Sequence, residues 1–229
     1  MSFDIDIVTI FPAFFKGPLE ESLIKKARDK RLIDVRVHDL RKYTRDKHKT
    51  VDDKPFGGGP GMVIKPDPIF ECVEDIRAKH PEGRVILLDA RGERLTQKKA
   101  QELAGRKHLI LLCGHYEGID HRVHEHLADE LISIGDFVTM GGEAPSLCLI
   151  EAVIRLIPGV IGNQESLKEE SFLQDVGNGL EYPQYTRPRD FRGWKVPDVL
   201  VSGDHAEVKK WRARTSKEVT KKKRPDLQK

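Results

Sequence analysis

The chain has 229 residues, 38% hydrophobic and 34% charged, with a formal net charge of +3. That length and balance suit a folded protein with a sizeable core, arranged as one large domain or as a medium and a small one, and exclude disorder throughout. No stretch reaches the roughly 20 apolar residues of a membrane span. Asp4 and Asp6 interrupt the amino-terminal apolar run, so no secretory leader is read there and the expected location is the cytosol.

The charge is uneven. Val201 to Lys229 holds ten Lys/Arg against four Asp/Glu, a balance of +6 that leaves −3 for the preceding residues. Cys72, Cys113 and Cys148 are odd in number, far apart and without a Cys-x-x-Cys pair. They are expected as reduced thiols in or near the core, with neither a disulfide framework nor a thiolate zinc site.

In chain order, "DIDIVTIF" reads as a strand entering a core, and Leu19, Leu23 and Ala27 follow at helical spacing. "LIDVRVHDL" is a second alternating strand, followed by about 21 residues, "RKYTRDKHKTVDDKPFGGGPG", with no credible element. A loop of that length inside a domain is usually functional or mobile. Asp67 and Pro68 predict a helix start, with Ile69, Val73 and Ile76 on one face. "RVILLDA" is a continuous apolar strand, Thr96 caps the helix "QKKAQELA", and "HLILLC" and "ELISI" are two more strands. Leu147, Ile150, Ile154 and Ile157 mark a long helix ended by Pro158-Gly159.

Strand and helix alternate, which predicts an α/β domain with a mostly parallel sheet over residues 1–160. Residues 161–176 read as a polar, flexible linker, and 177–229 as a small, mainly helical basic domain. In it, Asp204 caps a helix with Glu207 three residues on and a thin apolar stripe of Val208, Trp211, Thr215 and Val219.

The apolar strands end in "DARG", "CGHYEG" and "GDFVTMGG". Ligands of parallel α/β sheets bind outside the carboxyl ends of strands, so three glycine-bearing loops there imply one ligand lying against backbone. Two nucleotide motifs are excluded: no glycine run continues as Gly-Lys-Ser/Thr, and the Gly-x-Gly-x-x-Gly pattern begun at Gly57 ends on Met62. Four histidines in "GHYEGIDHRVHEH" invite a metal reading, but a His-Glu-x-x-His starting at His124 meets Ala128 at its last position. Solvated helix histidines and no bound metal are expected there.

Six collinear segments, "TVDDKPFGGGPGM", "CGHYEGID", "SIGDFVTMGGE", "IPGV", "YTRP" and "SGDHAEVKKWR", resemble the bacterial tRNA (guanine-37-N1)-methyltransferase family, TrmD, of the SPOUT superfamily. The resemblance covers nearly the whole chain. It implies a parallel sheet with a deep trefoil knot and a homodimer whose active site lies at the subunit interface. It also implies S-adenosylmethionine as methyl donor and tRNA as substrate. Carried over by position, the donor pocket is Leu87, Leu88, Asp89, Ala90, Gly114, Tyr116, Glu117, Ile134, Gly135, Phe137, Val138, Gly141 and Gly142.

Gly58, Gly59 and Pro60, with His48 and Asp52, correspond to the part that meets the target guanine; the plain alternative is a glycine-rich surface turn. The family assigns an arginine and an aspartate to catalysis. Arg155 matches the first, while Glu170 in "KEESF" stands where the family usually has Asp, with Glu169 an adjacent rival and a solvated linker charge the bland reading. The family also uses Mg²⁺, which here would be loosely held, with Glu117 and Glu170 among its carboxylates. Nine Lys/Arg between Lys209 and Arg224, Lys209, Lys210 and Arg212 among them, are expected to meet RNA phosphates, with a second basic patch from Arg41 to Lys49. A non-catalytic RNA-binding protein is the alternative.

Overall fold

The computed structural model describes residues 2–162, 170–173 and 179–228. The chain divides into two compact units, Met1–Gly162 and Asn163–Lys229. Residues 163–169 and 174–176 of the expected linker, Glu169 included, lie outside the described residues.

The first unit runs β1 (Phe3–Thr9), α1 (Ser22–Asp29), β2 (Ile33–Asp39), β3 (Asp52–Asp53), β4 (Val63–Ile64), α2 (Pro66–Lys79) and β5 (Arg84–Arg94). It continues with α3 (Gln97–Ala104), β6 (His108–Cys113), α4 (His121–His126), β7 (Glu130–Ser133) and α5 (Glu143–Ile154). Five strands form one sheet in the order β2-β1-β6-β5-β7, every pair parallel. The α/β expectation therefore holds. β6 is central and buried at each residue, because helices cover both faces of the sheet. Ile5, Ile7, Leu109 and Leu111 pack on one face with Leu149, Ile150 and Val153 of α5. Val8, Ile110 and Leu112 point to the other, toward Ile69, Val73 and Ile76 of α2. Alternate side chains of one apolar strand thus feed two cores.

β5 has an irregularity that shapes the ligand end of the sheet. Leu88 pairs with Cys113 and Ile132, the register then shifts, and Glu93 and Arg94 pair again with Ile132 and Ser133. Residues 89–92 form the excursion. A Cβ on Gly92 would overlap the backbone of Leu131 and Ile132, so only glycine lets the chain pass this close to β7.

Several local expectations need correction. α2 starts at Pro66 rather than Pro68, with Lys65 held extended by the proline that follows it. α5 ends at Ile154, and the next turn tightens, with Leu156 and Ile157 N–H donating to the carbonyls three residues back. Cys148 is exposed, whereas Cys72 and Cys113 are buried. Burial pushes the Cys72 thiol up to about 12, which makes it a poor nucleophile at neutral pH. The long polar loop also carries structure: β3 pairs with β4, and Val51 is fully buried with its carbonyl accepting from Lys65 N–H at 2.9 Å.

The second unit contains a hairpin, β8 (Asp190–Phe191) and β9 (Trp194–Lys195), and α6 (His205–Lys223). Asp204 caps α6 as expected, accepting from Ala206 and Glu207 N–H at 3.0 and 3.1 Å. The inward face carries the expected Val208, Trp211, Thr215 and Val219 and adds Ser216 and Thr220, both buried. Ser216 Oγ donates to Leu180 C=O at 2.6 Å, and Thr220 Oγ1 accepts from Leu180 N–H at 2.8 Å. Two hydroxyls one turn apart thereby satisfy both backbone polar groups of Leu180. Ser171 Oγ likewise accepts from Glu181 N–H at 3.0 Å, and Phe172 N–H donates to Gly179 C=O at 2.7 Å.

Candidate active site

β6, β5 and β7 are adjacent, and a cavity of about 420 Å³ opens at their carboxyl ends. Every residue assigned to the donor by resemblance, from Leu87 to Gly142, lines it. Parallel strands bring their ends to one edge, so three segments up to 55 positions apart (Leu87 to Gly142) meet there.

The loops are sewn together by backbone. Gly142 N–H donates to Gly114 C=O at 2.7 Å, and His115 and Gly141 form an isolated antiparallel bridge. A Cβ on Gly142 would lie 2.7 Å from Cys113 Cα and 2.9 Å from Gly114 N, immovable atoms that require glycine. The loop after β6 is also zipped to β4. Glu117 N–H donates to Met62 C=O, Ile64 N–H to Gly118 C=O and Asp120 N–H to Ile64 C=O, all at 3.0 Å. This places the glycine run beside the cavity.

Gly57, Gly58, Gly59 and Gly61 all have left-handed φ, +79° to +119°. Around the first three, nothing lies within 4 Å of where a Cβ would stand. Their glycine identity is set by backbone conformation, and the result is a strip of bare main chain ending in the fully exposed Phe56. Gly61 differs, because a Cβ there would overlap the Glu117 carboxylate. Glu117 therefore touches both the hairpin tip and the cavity.

Asp89 is the most constrained charge in the pocket. Arg91 donates to its two oxygens at 2.9 and 2.8 Å, and His124 Nε2 stands 3.0 Å away. The Arg91 guanidinium holds the Asp89 carboxyl well below the usual carboxylate range, burial opposes this, and His124 reinforces it. His124 is thus not a solvated helix histidine: its side chain is 4% exposed, whereas those of His121 and His126 are 65% and 66%. His115 is also engaged, edge-on to Phe11 at 4.8 Å and to Tyr116 at 5.0 Å. A carboxyl with a depressed folded pKa stabilises the fold above its unfolded pKa near 3.9, and this contribution fades as pH falls below it. Asp89→Asn is therefore expected to lower the melting temperature at pH 7 and to flatten its decline from pH 5 to pH 3, read by thermal unfolding across that range.

Tyr116, at a left-handed φ of +59°, has its phenol pushed up by burial and then by a hydrogen bond to the Asp52 carboxylate. Asp52 on β3 thereby reaches the pocket rim. His48 is exposed, and its N–H donates to Asp46 Oδ2 at 3.1 Å. Glu143 went unassigned in the sequence. It is 4% exposed at the first position of α5, accepts from Thr9 Oγ1 at 2.7 Å and stands 3.7 Å from His115 Nδ1. An acidic residue in a first helical turn was the available signal.

Arg155 is half-buried at the carboxyl cap of α5. In the second unit, Glu170 is half-buried, and Lys209 and Lys210 are exposed, with Lys210 2.8 Å from Glu207. Arg212 faces inward instead, its guanidinium 4.7 Å over the Tyr182 ring. There it lines a cavity of about 320 Å³ with Tyr182, Tyr185, Arg187 and Arg189. The hairpin tip adds a surface that pattern reading missed: Trp194 is 70% exposed near Phe191, and Arg192 lies 5.1 Å over the Phe191 ring.

The family described as tRNA (Guanine-1)-methyltransferase TrmD matches residues 3–229. A protein of Geobacillus kaustophilus called tRNA (guanine-N(1)-)-methyltransferase is 53% identical over 223 residues, 97% of this chain and 90% of the relative. Proteins of the same description from Dictyoglomus turgidum and Geobacter sulfurreducens are 53% and 50% identical, each over 97% of this chain and 89% of the relative. With the match spanning both units, the chain belongs to the tRNA (guanine-1)-methyltransferase TrmD family.

Proposed function

We propose that this protein transfers a methyl group from S-adenosylmethionine to N1 of guanosine 37 in the anticodon loop of tRNA. The carrying observation is one cavity at three strand ends, lined by every donor residue expected and edged by the glycine hairpin. A volume of about 420 Å³ falls within the usual range of small-molecule sites. The residues fit the donor: apolar strand ends suit an adenine ring, bare peptide groups suit its edge, and the carboxylates of Asp89 and Glu117 suit its cationic groups. When bound, the donor supplies an electrophilic methyl carbon on a sulfonium.

Guanine N1 carries a proton and is a weak nucleophile until that proton leaves. In this reading the Glu170 carboxylate accepts the N1 proton, and Arg155 stabilises the negative charge that spreads to O6. N1 then forms a bond to the methyl carbon as the carbon–sulfur bond breaks, and a neutral thioether leaves. The hairpin's exposed peptide groups lie against the base. The Mg²⁺ expected of the family belongs to the same proposal: one or two carboxylates, Glu117 and Glu170 among them, would hold it while its other positions keep water.

The remaining features expected of the family, a deep trefoil knot, a homodimer sharing its active site, a tRNA-binding second domain and a cytosolic location, belong to the same proposal. No described helix is long and apolar enough to cross a membrane. Val138 and Met140, each 91% exposed on the cavity's third loop, support a partner subunit covering that rim.

The basic face of α6 and the aromatic hairpin tip support tRNA binding by phosphate contact and stacking. If six to ten phosphates are neutralised, tRNA affinity is expected to fall by about 10³–10⁵-fold between 50 and 200 mM salt. Filter binding across that range checks it, and a flat profile would remove α6 from the role. The activity itself is tested by incorporation of labelled methyl into unmodified tRNA. Incorporation lost when guanine 36 or 37 is replaced supports the reading, and tRNA binding without incorporation favours a non-catalytic RNA-binding protein.

A further inference from the structure

At the amino-terminal edge of the sheet, away from the strand ends that line the donor cavity, three residues that the methyl-transfer reading does not use come together. His80 caps the carboxyl end of α2, Glu82 sits in the turn into β5, and His108 opens β6. One ligand atom from each lies within 4.8 Å of the other two, and the two rings meet edge-to-face at 5.0 Å. We propose that His80, Glu82 and His108 form a site for a divalent transition metal of the Zn²⁺ or Co²⁺ kind.

His108 carries the argument. It is 1% exposed, and its Nε2 stands 2.6 Å from Asp6 Oδ2. Asp6 also accepts from Arg36 at 2.9 and 2.8 Å and lies 2.5 Å from His38 Nε2, so its carboxylate is an acceptor surrounded by donors. His108 Nε2 therefore carries the ring proton toward Asp6. In the neutral ring this leaves Nδ1 as a bare lone pair, and Nδ1 is buried with no hydrogen-bond partner among the described residues. A buried acceptor without a donor is costly, and a cation is the partner it lacks.

The surroundings keep that lone pair open. A Cβ on Gly83 would stand 2.8 Å from His108 Nδ1, and Gly83 is absent from the positive-φ glycines, so room rather than backbone conformation accounts for glycine there. Two imidazoles and one carboxylate suit Zn²⁺ or Co²⁺ and leave a position for water, whereas Mg²⁺ prefers an all-oxygen shell. Bonds of about 2.0–2.2 Å would put tetrahedral ligand atoms about 3.3 Å apart. Closing the observed spread to that distance would fall to the side chains of Glu82, which is exposed, and His80, which is half-buried. Asp6, hydrogen-bonded to the far nitrogen of His108, is the outer carboxylate that orients ligating histidines. Asp4 Oδ2, 3.9 Å from His80 Nδ1, adds further negative charge. A bound ion would tie the end of α2 and the start of β5 to the central strand and stabilise the fold by mass action.

The test is a Co²⁺ titration of the full chain after chelator treatment, read by visible absorption and by melting temperature, in the wild type, His80→Ala and Glu82→Ala. His80 and Glu82 lie outside the buried core, so both variants are expected to fold. The expected result is saturable absorption at one Co²⁺ per chain, displaced by Zn²⁺ and accompanied by a higher melting temperature. Affinity should be at least about tenfold weaker in each variant. No saturable absorption in the wild type overturns the proposal. Equal binding by wild type and variants also overturns it, placing the ion on surface groups such as His121, His126 or Cys148.

Discussion

Replacing Glu170 by Gln is expected to lower methyl-transfer turnover by about 10²–10⁴-fold, the range for loss of a general base, with tRNA affinity within about twofold of wild type. Glutamine keeps the shape and hydrogen-bonding reach of glutamate but cannot take the N1 proton. An effect confined to turnover separates a base from a binding contact. Single-turnover label transfer gives the chemical rate, and filter binding gives the affinity. Glu170→Asp should keep most of the activity that Glu170→Gln loses, since it keeps a carboxylate on a stem one methylene shorter. Retained turnover in Glu170→Gln would remove this residue from the role.

Gly142→Ala is expected to weaken S-adenosylmethionine binding by at least about tenfold and to lower kcat/KM by about 10²-fold, because a 1 Å misplacement of a site can cost that much. The added methyl would meet Cys113 Cα, the last residue of the buried strand β6, at 2.7 Å and Gly114 N, the next residue, at 2.9 Å, backbone atoms that cannot rotate aside. Relief requires the third loop to lift off the second, and the 2.7 Å bond from Gly142 N–H to Gly114 C=O goes with it. Far-ultraviolet circular dichroism should stay native while calorimetry reads the weaker donor affinity. Wild-type affinity in this variant would show that the seam between the loops does not shape the pocket.

Which parts were legible in the sequence follows from physics at particular residues. Apolar runs such as "HLILLC" announce buried parallel strands, and strands in parallel must deliver their ends to one edge, so the cavity at 87–90, 114–117 and 134–142 could be anticipated. Backbone-to-backbone ties leave no such trace. The bonds from Glu117 to Met62 and from Lys65 to Val51 turn an apparently structureless segment into part of the site without any side-chain pattern. Histidine burial was equally hidden, because α4 spans only His121–His126 and its periodicity cannot distinguish His124, which faces Asp89, from His121. Arg212 was grouped with its cationic neighbours, yet on a helix it shares a face with Val208 and Thr215, which turns it toward Tyr182. The three-residue cluster at His80, Glu82 and His108 joins segments 26 or more positions apart and has no local motif.

Whether the cavity and its glycine hairpin direct a methyl group to one ring nitrogen of one anticodon-loop purine is read from the product. Unmodified tRNA is incubated with the protein and S-adenosylmethionine, cleaved to nucleosides and oligonucleotides, and mapped by mass spectrometry. The expected product is 1-methylguanosine at position 37, with no other new methyl group. Methyl on a different guanine atom, at another position, or absent altogether would contradict it.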